Sequence, residues 1–178
     1  MERKLVALSG VAGAGKDTLA KCLIEKGFKR IAFADTLKET CSELFPFLEV
    51  DYPPFEKEQP LNIEFEGQLI SKTPRELWIE TSAFIRQYNP SYFFNKTLKN
   101  IEESSDDIVI TDLRIESEFL KLKELGFTII FIEPKVQHYE LNDFDKQIDD
   151  FKDEIPHTFV NNFNGTEEFE EFILELNL

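Results

Sequence analysis

The sequence predicts an α/β fold, a five-stranded parallel sheet between layers of helices, and three observations predict it. Five short apolar runs, at 5–8, 30–33, 107–112, 127–132 and 157–160, alternate with segments of helical period, as successive β-α units do. The runs at 107–112 and 127–132 are too continuously apolar for a sheet edge and read as buried parallel strands. The first run leads directly into Gly10-Val11-Ala12-Gly13-Ala14-Gly15-Lys16-Asp17-Thr18 and then a helical pattern, so the chain opens strand, glycine-rich loop, helix. At 178 residues, the span 1–178 is expected to form one domain, with an insertion near 46–71.

That opening order is the context a phosphate-binding loop needs. Glycines let the backbone take conformations closed to residues with a Cβ and bring successive N–H groups close to phosphate oxygens. The helix start adds unpaired N–H donors and the positive end of its dipole, while Lys16 supplies a mobile charge for the outer phosphates. Gly13, Ala14, Gly15, Lys16, Asp17 and Thr18 are therefore the expected nucleotide contacts. One position departs from the usual pattern: Ser or Thr is expected after the lysine to hold magnesium, and here Asp17 stands there with Thr18 next. A carboxylate is a good hard-oxygen ligand for Mg²⁺, directly or through water, but without metal it repels phosphate. Asp17 then works with the metal, and Thr18 serves the metal or a more distant phosphate. The plainer alternative is a glycine-rich turn whose helix Asp17 caps.

A formal charge of −15 argues against a nucleic-acid polymer or an anionic membrane as partner, because most of the surface would repel either. A small phosphorylated ligand needs only a few local cations and a metal ion. Cys22 and Cys41 fall in helical patterns without zinc spacing and read as reduced thiols. The opening apolar run is too short for a signal peptide or a membrane span, so a cytoplasmic protein is expected.

After the first helix, Gly27 marks a stop and 30–33 forms the second strand. A helix follows, with Asp35 as its cap and Lys38 in its first turn, where it could reach a second phosphate or simply be solvated. From Pro46 to Pro60 the pattern breaks, and Asp51-Tyr52-Pro53-Pro54 reads as a turn or linker outside the core. Residues 62–70 alternate around Glu66-Gly67 as a small hairpin, either a flap over substrate or a plain surface feature. Thr73-Pro74-Arg75-Glu76 is a strong helix start, and Arg75, Trp78 and Ser82 could share one face, with Arg86 a turn further on. Arginine suits phosphate recognition and Trp78 could stack on a base, although it could equally belong to the core.

A helix from Ser91 to Ile101 carries aromatics that look like packing. The strand at 107–112 ends in Asp112, where an α/β sheet displays ligand contacts and an aspartate can hold magnesium or its water. Arg114 could neutralise charge on a transferring phosphoryl group; the alternative is a helix-capping Asp112 with a surface arginine. A helix over 115–125 precedes the strand at 127–132. Residues 135–154 read as an acidic loop with one short amphipathic helix, without the arginines of a catalytic lid. His138 and His157 have no ligand-like company. The last strand is followed by a turn over Asn161 to Gly165, where an adenine could lie against backbone amides, and by a final helix capped by Thr166.

Taken together, Gly10 to Thr18, Phe33-Ala34-Asp35-Thr36-Leu37-Lys38-Glu39, Arg75 through Arg86 with Asn89-Pro90-Ser91-Tyr92-Phe93, Thr111-Asp112-Leu113-Arg114 and Asn162-Phe163-Asn164-Gly165-Thr166 make the chain resemble the deoxynucleoside monophosphate kinases of the phage type, a branch of the P-loop kinases. The likeness spans nearly the whole chain, with 46–71 and 135–154 matching poorly. It implies a P-loop kinase three-layer α/β/α sandwich and Mg²⁺-dependent transfer from ATP to a (deoxy)nucleoside monophosphate. Under it, Lys16, Asp17, Asp112 and Arg114 are catalytic; Asp17, Thr18 and Asp112 serve the metal; Gly13 to Thr18, with Asn161 and Gly165, hold the nucleotide. Lys38, Arg75 and Arg86 grip the acceptor phosphate, with Asp35 and Trp78 nearby. The family often shows a Gly-Thr pair where this chain has Glu80-Thr81-Ser82, which leaves base choice open. A similar combination also resembles the animal type of phosphomevalonate kinase, and Asp17 keeps a non-catalytic nucleotide-binding protein in view. Monomer and homodimer are both compatible with the sequence.

Overall fold

The computed structural model describes residues 3–136 and 143–178. The chain opens on β1 (Leu5–Ser9), α1 (Lys16–Glu25) and β2 (Lys29–Ile31). It continues through α2 (Phe33–Leu44), β3 (Ile63–Phe65), β4 (Gln68–Ile70), α3 (Pro74–Tyr88) and α4 (Tyr92–Glu102). It closes with β5 (Ile108–Leu113), α5 (Glu116–Glu124), β6 (Thr128–Pro134), the single turn α6 (Asp143–Lys146), β7 (His157–Asn161) and α7 (Glu167–Glu175). Five strands form one parallel sheet in the order β2-β5-β1-β6-β7, and β3 and β4 form a separate antiparallel pair. The chain divides into two compact units, Met1–Ala32 with Ile101–Leu178, and Phe33–Asn100.

In the first unit the three central strands, β5, β1 and β6, are buried on both faces, as the interior of a parallel sheet requires. Val6, Leu8, Val109, Ile130, Ile132 and Phe159 pack with Leu19 and Leu23 of α1 and Phe169 and Ile173 of α7. Residues of the opposite parity, Ala7, Ile108, Ile110, Ile129 and Phe131, are buried as well. Beside them Phe119 of α5 stacks on Phe151, with ring centroids 5.0 Å apart.

The second unit has no large sheet to close its core. Cys41, Leu48, Leu77 and Trp78 are buried together, with Leu37, Phe45, Phe47, Tyr52, Leu61 and Ile70 packed against them. The expectation that Asp51-Tyr52-Pro53-Pro54 lies outside the core is thus corrected at Tyr52, which packs against it as Leu48 packs within it, because a unit of helices and one hairpin draws apolar side chains from irregular chain to fill its interior. The hairpin itself forms as expected, turning through Glu66 and Gly67 at φ 49° and 77°, the positive pair that a tight two-residue turn demands. Phe65 meets Phe47 at 5.0 Å between ring centroids.

Helix α3 starts as its sequence says. Thr73 Oγ1 accepts the Glu76 N–H at 3.1 Å, and the Glu76 carboxylate accepts the Thr73 N–H at 2.8 Å, with Pro74 opening the helix. The bond from the Thr73 N–H holds the Glu76 carboxyl below its ordinary range. Elsewhere the expected caps are corrected. Helix α2 begins at Phe33, so Asp35 lies within its first turn and Lys38 in its second; Phe33 is drawn into the helix to pack on Phe94 at 6.0 Å. Thr166 precedes α7 without a capping side-chain bond. The short helix expected within 135–154 is α6, followed by two single-turn 3-10 segments, Gln147–Asp150 and Lys152–Glu154. His138 lies outside the described residues.

Candidate active site

The loop between β1 and α1 sits at the carboxyl end of the sheet's middle strand, with β5 and β6 on either side. Its glycines are placed by contact as well as by torsion. Gly10 has φ 147°, and a Cβ there would lie 2.6 Å from the Ile132 carbonyl oxygen of β6. Gly15 has φ 107°, and its Cβ would lie 2.4 Å from Nδ2 of Asn161. That amide is held: Nδ2 donates to the Ala14 carbonyl at 2.8 Å, and Oδ1 accepts the Phe163 N–H at 2.8 Å. Asn161 is buried at the end of β7, and its side chain buttresses the loop. Gly165 occupies an exposed turn at φ 114°, with open space where a Cβ would stand.

Gly15 is the N-cap of α1, and no side chain caps the helix. The Thr18 N–H donates to the Gly15 carbonyl at 3.1 Å, while no side chain occupies the helix start and its dipole end, which suits an anion; Asp17 lies inside the helix, which removes the capping alternative for it. Lys16 is only 8% exposed, and its Nζ donates to the Gly10 and Val11 carbonyls at 2.7 and 2.8 Å, closing the loop on itself. Burial first, and then the Arg114 guanidinium, push its pKa down to about 8, against the pull of Asp145, Asp17 and Asp112. Three sequence-selected residues, Asp17, Asp112 and Arg114, thus each act on the charge of a fourth, Lys16. Asp17 is exposed; Thr18, Asp112 and Arg114 are half-buried.

Strand β5 delivers two of these residues through an irregularity. Ala7 pairs with Ile110 and Ser9 with Leu113, so β5 takes three steps where β1 takes two. A bulge of this kind re-aims side chains at the end of a strand, and it falls on Thr111-Asp112. The alternative of a helix-capping Asp112 does not hold, because the N-cap of α5 is Ile115. Arg114 NH1 lies 3.1 Å from Oδ1 of Asp145, a carboxylate only 1% exposed. Sequence reasoning missed Asp145: among the many acids of 135–154, nothing in the pattern singles it out.

The remaining candidates belong to the second unit. Trp78 is 8% exposed and packs within the core, 6.0 Å from the Tyr52 ring, in keeping with the core alternative of its two readings. The face shared by Arg75, Trp78 and Ser82 divides accordingly: Trp78 and Ser82 are buried while Arg75 is exposed. Lys38 Nζ pairs with Asp51 at 3.3 Å and lies 5.4 Å from the Trp78 ring. Arg75 pairs with Glu58 at 2.8 Å, and the Arg86 guanidinium sits 5.2 Å over Phe93. Asp35 is half-buried. Two of the cations are thus held by carboxylates of the irregular segment, which its Pro-rich sequence gave no reason to expect.

No family model and no curated protein sequence matches the chain. Solved structures do. A dephospho-CoA kinase from Campylobacter jejuni is 14% identical over 97% of this chain and 94% of its own, with a TM-score of 0.58. TT1252 from Thermus thermophilus is 14% identical over 99% and 97%, with a TM-score of 0.56. The chain shares with them an α/β fold built on a five-stranded parallel sheet between helices.

Proposed function

We propose that the chain is a kinase that moves the γ-phosphoryl group of ATP, with Mg²⁺, to a (deoxy)nucleoside monophosphate, leaving ADP and the diphosphate. The observation that carries the reading is a glycine loop closed by Lys16 in front of an uncapped helix start, with Asp17, Asp112 and Arg114 near enough to act on the Lys16 charge. The cradle fits a polyphosphate: Gly10 and Gly15 stand where a Cβ would collide, and no side chain competes for the first-turn N–H groups. The fold shared with a dephospho-CoA kinase supports phosphoryl transfer as its chemistry.

Bound ATP with Mg²⁺ supplies the reactive phosphoryl group and the metal charge. Lys16 exchanges its two carbonyl acceptors for outer phosphate oxygens. Among the described residues no group of three or more His, Cys, Asp or Glu is arranged to hold a metal ion. Asp17, Thr18 and Asp112 would hold magnesium together with phosphate oxygens, the usual habit of this cation. Arg114 offsets the charge that spreads over the phosphoryl oxygens, and catalysis is mostly alignment and neutralisation. Lys38, Arg75 and Arg86, with Asp35, serve the acceptor. A nucleic-acid polymer and a membrane surface remain poor partners for a chain of charge −15; among the described residues no helix is long and apolar enough to cross a membrane.

A second reading, a small non-nucleotide phosphate such as phosphomevalonate as acceptor, gains from the burial of Trp78, which removes one stacking surface for a base. A panel of nucleoside and deoxynucleoside monophosphates and phosphomevalonate, followed by ADP release with and without magnesium, separates the two. Magnesium-dependent ADP release with one or more monophosphates is expected. Release with phosphomevalonate alone would favour the second reading, and ATP binding without any release would make the chain a binding protein.

A further inference from the structure

We infer that Asp145 is the positioning residue of Arg114, fixing its guanidinium from the buried side so that the rest of it faces the phosphoryl group; this role rests on the kinase reading. The pair is asymmetric. The Asp145 side chain is 1% exposed and that of Arg114 is 29% exposed, so the carboxylate is the anchored end and the guanidinium the end that reaches solvent. A carboxylate buried this far is costly without a cation beside it, and Arg114 lies 3.1 Å away. At 3.1 Å the contact is an ion pair, and an amide of the same shape brings no charge to it.

The element that carries Asp145 is also tied down. Helix α6 is one turn, too short to hold itself. Immediately after it Ile148 is buried, and Phe151 stacks on Phe119 of α5, the helix that follows Arg114. Asp145 thus stands on a packed segment on one side of Arg114, while Lys16 acts on the guanidinium from the loop. Two neighbouring cations repel each other, and a fixed carboxylate among them lets both stay in place. Asp145, from an acidic stretch without lid arginines, then contributes by holding the arginine that stands just past β5.

The test is Asp145→Asn, with two readouts. In a 15N spectrum of arginine side chains, the Arg114 Nε–H resonance, assigned by its loss in Arg114→Lys, is expected to be protected in the wild type and to broaden or shift in Asp145→Asn. In steady-state kinetics, kcat is expected to fall roughly a hundredfold, the scale of a misplaced catalytic group, with KM for ATP within about threefold. Asp145→Asn added to Arg114→Ala should cost little more, and free guanidinium should rescue Arg114→Ala but not the double variant. An unchanged Arg114 resonance together with unchanged kcat overturns the role, as does additivity of the two substitutions. If Asp145→Asn does not fold, Asp145→Glu keeps the charge but moves it by one methylene, and the same loss of kcat with an intact melting transition is expected; a normal kcat overturns the role. If the wild type phosphorylates nothing, the kinase reading falls, and the resonance still decides the pairing by itself.

Discussion

Replacing Gly15 by alanine tests the construction of the loop. Two costs are visible. Alanine at φ 107° is strained, worth about 1–3 kcal/mol. Its Cβ would also stand 2.4 Å from Asn161 Nδ2 and 3.2 Å from the Phe169 ring, and the first of these distances cannot be kept. Asn161 must retreat and give up the Ala14 carbonyl, and a buried polar group left unmet costs a further ~1–3 kcal/mol. Gly27→Ala supplies the reference, since Gly27 has φ 98° with nothing within 4 Å of an added Cβ, so it carries the strain alone. Urea unfolding should therefore place Gly15→Ala below Gly27→Ala by about 1–3 kcal/mol, and only Gly15→Ala should weaken ATP binding. Equal losses for the two glycines would refute the claim that Asn161 holds the loop.

Lys16 gives a pH dependence with a definite sign. Its pKa of about 8 lies below 10.5, so a phosphate that raises it takes up a proton at alkaline pH. Affinity for ATP, measured in EDTA, should fall roughly tenfold from about pH 7 to pH 9, and Lys16→Met should bind weakly with no such trend; a flat wild-type profile contradicts this. The same depressed value makes the buried ammonium a stability cost below pH 8 that fades as pH rises toward 10.5, which alkaline melting curves can check. Asp51 and Glu58 occupy Lys38 and Arg75 through exposed pairs of small worth. Asp51→Asn with Glu58→Gln should lower KM for the acceptor by about two- to fivefold while sparing KM for ATP; an acceptor KM that stays put or rises would show that these cations do not serve it. Thr73→Ala should destabilise the chain by about 1 kcal/mol through loss of the α3 cap, and a loss below a few tenths would show that the capping box contributes little.

The sheet and the loop were legible in the sequence because their signals are local. Strands such as 107–112 are continuous apolar runs, and the glycine loop needs its residues at fixed spacing whatever surrounds it. The capping box at Thr73 was legible for the same reason. The bulge in β5 was not, since it arises from pairing with β1 and leaves no mark on the composition of 107–113. Nor was the start of α2, set by Phe33 packing on Phe94, or the burial of Leu48 and Tyr52, set by a core closed from distant pieces. Trp78 could go either way from sequence, and burial decided it. Asp145 is the plainest case: one acid among many becomes special only when folding buries it beside Arg114.

The central claim is that this chain carries a phosphoryl group from ATP to a monophosphate. ATP labelled at its γ phosphorus, incubated with the protein, magnesium and each deoxynucleoside monophosphate in turn, should deliver the label to the β position of a deoxynucleoside diphosphate, and Lys16→Met should abolish that transfer. Label that stays in ATP, or appears only as inorganic phosphate with every acceptor, would contradict the account.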